Sequence, residues 1–348
     1  MNVLSGASSF FGLDLGASAM RVVQLKGIGP RKSVETYGQI PIDGAVTFSD
    51  SKVDRAKVAQ TVKELVSSAK ISTNNVVANL PSIRVFTTVI DMDRLPPEEL
   101  AKIINYQADS LVPTPLAQSK IDWAIIGDSP KDPRKIEVLL SSVPNDYIET
   151  RLDMLESIGL NVVAFEPDSM ALMRSVTVAN GLGNPPQLIL DIGSNSSDLV
   201  IAMSGAPHLT RSIPIGWRTF VNSAAQVLNV DVSQAQQYVL KFGVSRDKLE
   251  GQIYNAIIPT VNNLMAEIEK SIKFFQGRYP SAKLERMIVT GRASNLPELP
   301  LYIANQFGIN VEIGNAWLNV DLPPDRQDEL LATSNSFAVA AGLAERMG

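Results

Sequence analysis

The sequence predicts a two-lobed α/β protein, and three observations carry that expectation. One pattern of apolar strand, Asp, apolar residue, Gly and small residues occurs twice, as Gly12-Leu13-Asp14-Leu15-Gly16-Ala17-Ser18 and as Leu190-Asp191-Ile192-Gly193-Ser194-Asn195-Ser196. Each copy runs into a further apolar strand, Met20 to Leu25 and Leu199 to Met203, so the unit strand, turn, strand recurs half a chain apart. A length of 348 residues, finally, exceeds one comfortable core and suits two.

The turns have a chemistry of their own. Glycine permits positive φ and lets a ligand approach the backbone without meeting a Cβ. Successive N–H groups in such a turn form a concavity for anions. An Asp in that place repels phosphate, so its natural task is to hold a hydrated Mg²⁺ between the two. Two such half-sites face to face would clasp a nucleotide. One Asp-x-Gly-Ser alone is most often just a strand entering a turn; its repetition is what gives it weight.

Composition narrows the remaining classes. Apolar residues make up 45% of the chain and charged residues 19%, as in a folded soluble protein. With 31 basic and 36 acidic residues the net charge is −5, and nothing argues for a nucleic-acid partner. The absence of cysteine excludes disulfides and thiolate chemistry and fits a reducing cytoplasm. The single histidine, His208, excludes a multi-His metal site; in Ser204-Gly205-Ala206-Pro207-His208 it reads as a solvated turn residue. No apolar run approaches the roughly 20 residues of a membrane-spanning helix. Met1 to Phe11 lacks the basic start and cleavage signature of a signal peptide. A cytoplasmic location is expected, with any membrane association supplied by a partner.

The elements follow in order. Strands continue through Val34 to Ile40, and Val58, Val62, Leu65 and Val66 recur at helical spacing in a helix from about Asp54 to Lys70. Val76 to Leu80 and Val85 to Ile90 read as strands. Leu95-Pro96-Pro97-Glu98-Glu99 opens a helix with prolines and acids in its first turn, and Val112-Pro113-Thr114-Pro115 stops it. Ile121 to Ile126 and Ile136 to Ser142 read as paired strands around the polar loop Gly127 to Arg134. Pro144 to Ile158 is an amphipathic helix and Leu160 to Phe165 a buried strand. Residues 84–160 thus form a small α+β unit inserted within the first lobe.

Glu166-Pro167 precedes a helix from Asp168 to Ala179, and Gly181-Leu182-Gly183-Asn184-Pro185-Pro186 is the clearest linker. Beyond the second turn, strands run to Ile213, and Gly216-Trp217-Arg218 leads into helical sequence from Thr219 to about Leu240. A helix from Tyr254 to Gly277 carries Ile257, Val261, Leu264, Ile268, Ile272 and Phe275 on one face. The strand Arg286 to Val289 ends at Thr290-Gly291-Arg292-Ala293-Ser294, before a helix from Leu296 to Phe307. The last helix, Ser336 to Arg346, is rich in small residues suited to close core packing.

This order of first turn, Glu-Pro helix, second turn, strand–Gly turn and Ala/Gly-rich last helix resembles the actin, Hsp70 and sugar-kinase ATPase superfamily, whose fold is ribonuclease H-like. Within it the chain resembles the PilM family of type IV pilus assembly proteins. The residues that carry this are Phe11 to Ser18, Leu95-Pro96-Pro97-Glu98-Glu99-Leu100, Gln107-Ala108, Val112-Pro113-Thr114-Pro115-Leu116, Leu155-Glu156-Ser157-Ile158-Gly159-Leu160 and Arg211-Ser212-Ile213-Pro214-Ile215-Gly216. The helix ending in Pro-x-Pro-Leu is the most specific, since it belongs to the insertion and not to ATP binding. The insertion resembles the 1C subdomain shared with the division protein FtsA. The resemblance implies a first lobe (1A) of residues 1–83, 161–184 and 330–348, a 1C-type subdomain of 84–160, a second lobe (2A) of 185–222 and 285–329, and a 2B subdomain of 223–284.

It also implies ATP and Mg²⁺ as ligands, the metal oriented through water by Asp14 and Asp191. Phosphates would meet Gly16, Ala17, Ser18 and Arg21 from one side, and Gly193, Ser194, Asn195, Ser196 and Ser197 from the other. Adenosine would lie against Gly291, Arg292 and Ala293, with Gln236 where relatives often place Glu. Where the family has Gly-Gly pairs this chain has Gly291-Arg292 and Gly216-Trp217; Arg292 would stack on the purine or obstruct it. Glu166 aligns with a position that orients the attacking water, or is a helix N-terminal carboxylate favoured by the dipole. The implied role is a cytoplasmic ATP-binding scaffold with slow or negligible ATPase activity, peripheral at the inner membrane, binding the N-terminal tail of PilN within 84–160. The pilus motor ATPase or platform protein and a second copy of the chain are further candidate partners. A metabolic kinase and an FtsA-like membrane tether are the competing readings. The kinase needs an acidic base in a sugar pocket, and the tether needs an amphipathic tail that Ala344-Glu345-Arg346-Met347-Gly348 does not provide.

Overall fold

The computed structural model describes residues 9–27, 31–178 and 185–346; residues 1–8 and most of the expected linker, Gly181 to Asn184, lie outside them. The chain opens with a meander. β1 (Phe11–Leu15), β2 (Ala19–Lys26) and β3 (Lys32–Pro41) pair antiparallel, the turn Gly16 to Ser18 being just long enough to reverse the chain. After the single turn α1 (Gly44–Thr47) comes α2 (Lys52–Ser68), started by Ser51, whose hydroxyl accepts from the Asp54 N–H. It buries Val58, Ala59, Val62 and Leu65 on the sheet. β4 (Asn75–Leu80) then lies parallel beside β1.

The insertion follows: β5 (Phe86–Asp93), α3 (Pro97–Leu111), β6 (Ser119–Asp128) and β7 (Lys135–Pro144). Its three strands pair antiparallel in the order β5-β7-β6. Leu100, Ile104 and Ala108 of α3 close its own core against Met92, Ile136, Val138 and Leu140. α4 (Asn145–Glu156) differs from expectation. Its Met154 and Leu155 pack with β1, β2 and α2, so the insertion's own core ends at Pro144 and not at 160. Amphipathicity shows that a helix has an apolar face; it does not show which core takes it.

β8 (Asn161–Pro167) pairs parallel with β4 and hands over to α5 (Asp168–Val176), shorter than expected. The second lobe repeats the plan. β9 (Gln187–Ile192), β10 (Ser197–Met203) and β11 (Ala206–Ile213) form a second meander. α6 (Trp217–Leu228) and α7 (Val232–Phe242) are separate helices, because Asn229 turns left-handed at φ 53° and Asp231 caps a new start. α8 (Gln252–Arg278) carries the long apolar face, and β12 (Arg286–Thr290) lies parallel to β9. α9 (Leu299–Phe307) and β13 (Asn310–Ile313) complete the layer. The chain returns to the first sheet through β14 (Val320–Asp321), α10 (Gln327–Thr333) and α11 (Ala338–Ala344).

The sheet orders are β14-β3-β2-β1-β4-β8 and β11-β10-β9-β12-β13. Without β14 they are the same arrangement built twice, so the repeat in the sequence is a repeat of topology. One expectation fails outright. His208 is not a solvated turn residue but a buried member of β11, 6% exposed. The reversal is made by Ser204 and Gly205 alone, at φ 52° and 80°, so the expected turn ends before Ala206, where β11 begins, and β5 of the insertion lies alongside β11 and covers it.

The small residues of α11 have steric work to do. A Cβ on Gly342 would stand 1.8 Å from the Ala171 carbonyl oxygen, and one on Gly12 of β1 2.4 Å from that of Ala340. Gly342→Ala, which forces backbone apart at the α5 crossing, is expected to lower stability by about 1–3 kcal/mol or more, read as a fall in the urea midpoint at unchanged slope.

Candidate functional site

Between the lobes lies a cavity of about 410 Å³, walled by both turns. Each turn is the tip of a hairpin, and in each hairpin a charged side chain stands directly across from the Asp. Arg21 is opposite Asp14 in the first, Asp198 opposite Asp191 in the second. The sequence spacing is the same in both, which is the signal by which Asp198 could have been found. Arg21 Nη1 lies 3.3 Å from Asp14 Oδ2, whereas among the described residues no cation forms such an ion pair with Asp191 or Asp198.

A fourth carboxylate comes from Asp168, the first residue of α5. Asn79, at the end of β4, ties it to the first turn. Its Nδ2 donates to Asp168 Oδ1 at 2.8 Å and to Asp14 Oδ1 at 3.3 Å, while its Oδ1 accepts from the Leu15 N–H at 2.7 Å. Neither Asn79 nor this use of Asp168 was legible locally, for the three residues are brought together only by parallel pairing of β1, β4 and β8.

Four acids on one cavity wall, Asp14 buried and Asp168, Asp191 and Asp198 half-buried, with one ion pair among them are electrostatically unbalanced. Burial pushes Asp191 up to about 7, with Asp198 and Asp14 adding repulsion, and pushes Asp198 up to about 6. Burial, followed by the other three acids, holds Asp168 well above the ordinary range; burial also raises Asp14, against the pull of Arg21. Such a site favours a cation. Among the described residues no cluster of three or more such groups is spaced to grip a metal directly, so a metal here would be held through water and through a ligand's own oxygens.

The turns themselves are braced. The first N–H groups of α6, those of Trp217 and Arg218, donate to the carbonyls of Gly193 and Ser194 at 2.9 Å each. A Cβ on Gly216 would meet the Ser196 nitrogen at 2.8 Å. Gly291, at φ 84°, admits no side chain, since its Cβ would stand 2.0 Å from Asp191 Oδ1. Above the cavity the lobes touch, with Arg218 Nη2 2.9 Å from Asp43 Oδ1.

The two departures from Gly-Gly meet in space. The Arg292 guanidinium lies over the Trp217 ring, 5.3 Å from its centroid, and Trp217 is itself buried in the core of the second lobe. Burial lowers the Arg292 pKa, with further repulsion from Arg21 and Arg218.

Of the residues singled out from sequence, Asp14, Gly16, Ala17, Ser18 and Arg21 line the cavity, as do Asp191, Gly193, Ser194, Asn195, Ser196, Gly291 and Arg292. Four do not. Ser197 is fully buried and its hydroxyl donates to the Ile215 carbonyl. Ala293 is buried beneath the Gly291 turn, and Gln236 lies on α7 outside the lining. Glu166 is 3% exposed, with one oxygen on Arg174 at 2.7 Å and the other on Arg346 at 2.6 Å. It is a structural tie; the carboxylate that reaches the cavity is Asp168, two residues on.

Two like lobes, each a meander continued by parallel strands, closing on a cleft between paired Gly turns, define the actin-like ATPase fold. Solved structures agree. A chain of a structure described as the PilM-PilN type IV pilus biogenesis complex matches with a TM-score of 0.83 over 97% of both chains at 24% identity. The ethanolamine utilization protein EutJ from Carboxydothermus hydrogenoformans matches at 0.57 and 14% identity, over 96% of this chain and 88% of that one. MreB 5 of Spiroplasma citri, bound to AMPPNP, matches at 0.54 and 13% identity, over 97% and 95%. The family itself follows from the sequence match: residues 12–347 match the type IV pilus assembly protein PilM family, and the chain belongs to it.

The raised acids fix a pH dependence. A carboxyl whose folded pKa lies above its unfolded 3.8 stabilises the fold fully below 3.8 and loses that contribution as pH rises towards about 7. Asp191→Asn is therefore expected to stabilise the protein at pH 8 without divalent cations, by on the order of 2 kcal/mol because Asp198 shares the strain. The gain should shrink steadily as pH falls and vanish only below about pH 3.8. Thermal melts across that range check it, and a gain independent of pH would contradict it.

Proposed function

We propose that this cleft binds Mg²⁺-ATP and that the chain is a nucleotide-binding scaffold of type IV pilus assembly, docking the N-terminal tail of PilN beside the insertion. The single observation that carries the nucleotide reading is the set of four carboxylates, Asp14 buried and Asp168, Asp191 and Asp198 half-buried, short of cations, between two anion-binding turns. Polar groups on this wall also lack partners, Arg21 Nε being buried without one. The residues fit the ligand. Backbone N–H groups of Gly16 to Ser18 and of Gly193 to Ser196 are the phosphate donors, joined by Arg21. Asp14 and Asp191 would hold Mg²⁺ through water, and the ion would supply the charge that neutralises phosphate against carboxylate. MreB 5, which shares the fold, was solved with AMPPNP.

Asp168 is the group placed to orient and deprotonate a water on the cavity wall, its proton affinity raised as that task needs. Phosphoryl transfer otherwise depends on positioning and electrostatics. Glu166 has no free oxygen for this work. Slow turnover fits a site built to hold. Mg²⁺-ATP at 100 times its Kd is expected to stabilise the fold by about 2.7 kcal/mol. Asp168→Asn should keep that shift and lose at least about 100-fold in phosphate release. Loss of the shift in this variant, or unchanged release, would remove Asp168 from the role.

The partner reading rests on the family and on the insertion. The structure whose chain matches at 0.83 is described as a PilM-PilN complex. The insertion has its own core yet leaves Tyr106 of α3 at 84% exposure and Ile125 of β6 at 53%, apolar surface of the kind a short tail uses. Among the described residues no helix is long and apolar enough to cross a membrane; placement at the inner membrane through such a partner is part of the same proposal. Because α4 belongs to the first lobe, the informative deletion removes 86–143 and leaves α4 in place. It is expected to abolish calorimetric binding of a PilN tail peptide while keeping the Mg²⁺-ATP shift. Tail binding at unchanged affinity would place the docking site elsewhere.

A further inference from the structure

The insertion is joined to the first lobe by its chain but to the second lobe by a buried polar knot. Glu137, on β7, is 1% exposed. Its Oε1 accepts from Arg278 Nη2 at 2.8 Å, from Arg278 Nε at 3.0 Å and from the Tyr279 hydroxyl at 2.7 Å, all at the end of α8. Its Oε2 lies 3.5 Å from His208 Nε2 on β11. Arg278 Nη2 also reaches Asp91 Oδ1 on β5 at 2.9 Å. The His208 ring stands edge-on to Tyr279, and Tyr279 packs on Phe275 of the second-lobe core.

On the first-lobe side the contacts are of another kind. The connector from β4 to β5 holds one short 3₁₀ turn, Ser82–Arg84, and with Pro81 it lines the cavity. Arg84 of that turn lies over the Tyr147 ring of α4, 5.5 Å from its centroid, and Asn145 Nδ2 of α4 donates to the Ala117 carbonyl at 3.1 Å at an exposed site. Water can replace such exposed contacts, whereas Glu137 cannot leave its knot without carrying an unpaired charge through an apolar interior.

Taken with the nucleotide reading above, on which it rests, we infer that the insertion moves with the second lobe as one body, latched by Glu137, Arg278, Tyr279 and His208. A ligand that draws the two lobes together then changes the seam between the insertion and the first lobe. Nucleotide in the cleft thereby regulates the surface offered beside the insertion, and the mobile joint is the Pro81–Arg84 connector, which senses the cavity directly.

The absence of cysteine allows paired spin labels on the intact chain. Ile125→Cys with Leu301→Cys spans insertion and second lobe; Ile125→Cys with Val53→Cys spans insertion and first lobe. The first distance distribution is expected to be narrow, and unchanged by Mg²⁺-AMPPNP, while the second shifts. Arg278→Ala should broaden the first distribution with no nucleotide present, Tyr279→Phe should broaden it less, and Arg278→Lys serves if the alanine variant does not fold. An equally narrow distribution in the arginine variant overturns the latch, as does a nucleotide-dependent change in the first distance with the second fixed. The broadening is read without ligand, so failure of the latch is distinguished from failure of nucleotide binding, which the thermal shift reports separately.

Discussion

Charge crowding in one cleft is the constraint on which the rest of this structure depends. Among the described residues Asp14, Asp168, Asp191 and Asp198 face one cavity with a single ion pair among them, and their partial burial limits the relief that water gives. Such an arrangement survives only if the backbone holding it cannot relax. The surroundings supply that rigidity: Asn79 spends three hydrogen bonds on Leu15, Asp14 and Asp168, α6 spends its first N–H groups on the second turn, and Gly291 is pressed against Asp191 by Asn335, whose carbonyl accepts the Gly291 N–H. The strain is stored where a polyvalent ligand would release it.

The duplicated hairpin explains why the site is asymmetric. Position for position, the residue across from the Asp is Arg21 in one lobe and Asp198 in the other. A cation in both places would neutralise acids in both hairpins, and an acid in both would remove the one side-chain cation, Arg21, that pairs with an acid of the cleft. The two departures at the Gly pairs are compensated in the same spirit. Trp217 packs in the second-lobe core and offers one face to the Arg292 guanidinium, which lies in this cleft against the repulsion of Arg21 and Arg218. Each supplies what the other lacks, which is why neither is intelligible alone.

What was legible in the sequence was what neighbouring residues decide among themselves. The turns, the prolines that open α3, the small residues of α11 and the insertion's own strands all follow from spacing and backbone freedom. What was not legible depends on chain returning from far away. Glu166 looked available beside Pro167, but Arg346 reaches it from 180 residues on and Arg174 takes its other oxygen. His208 looked solvated in a Gly-Pro setting until β5 covered it. Asp168 was visible only as a helix start, because Asn79, which aims it, lies 89 residues earlier on another strand.

The Glu137 knot shows where such long-range contacts matter most. Arg278 lies 141 residues from Glu137, beyond the reach of any local pattern, yet the bond between them decides to which lobe the insertion belongs. By connectivity it is an excursion of the first lobe; by burial and hydrogen bonding it is a limb of the second. A subdomain with divided attachment lies across the path of any motion between the lobes. Its stiff side is the one with ionised groups out of water, since there the cost of separation is greatest, and its compliant side is the one made of a stacked cation, an exposed amide hydrogen bond and a single 3₁₀ turn. Motion in the cleft must therefore surface along that compliant seam, where the chain of the first lobe enters and leaves the insertion.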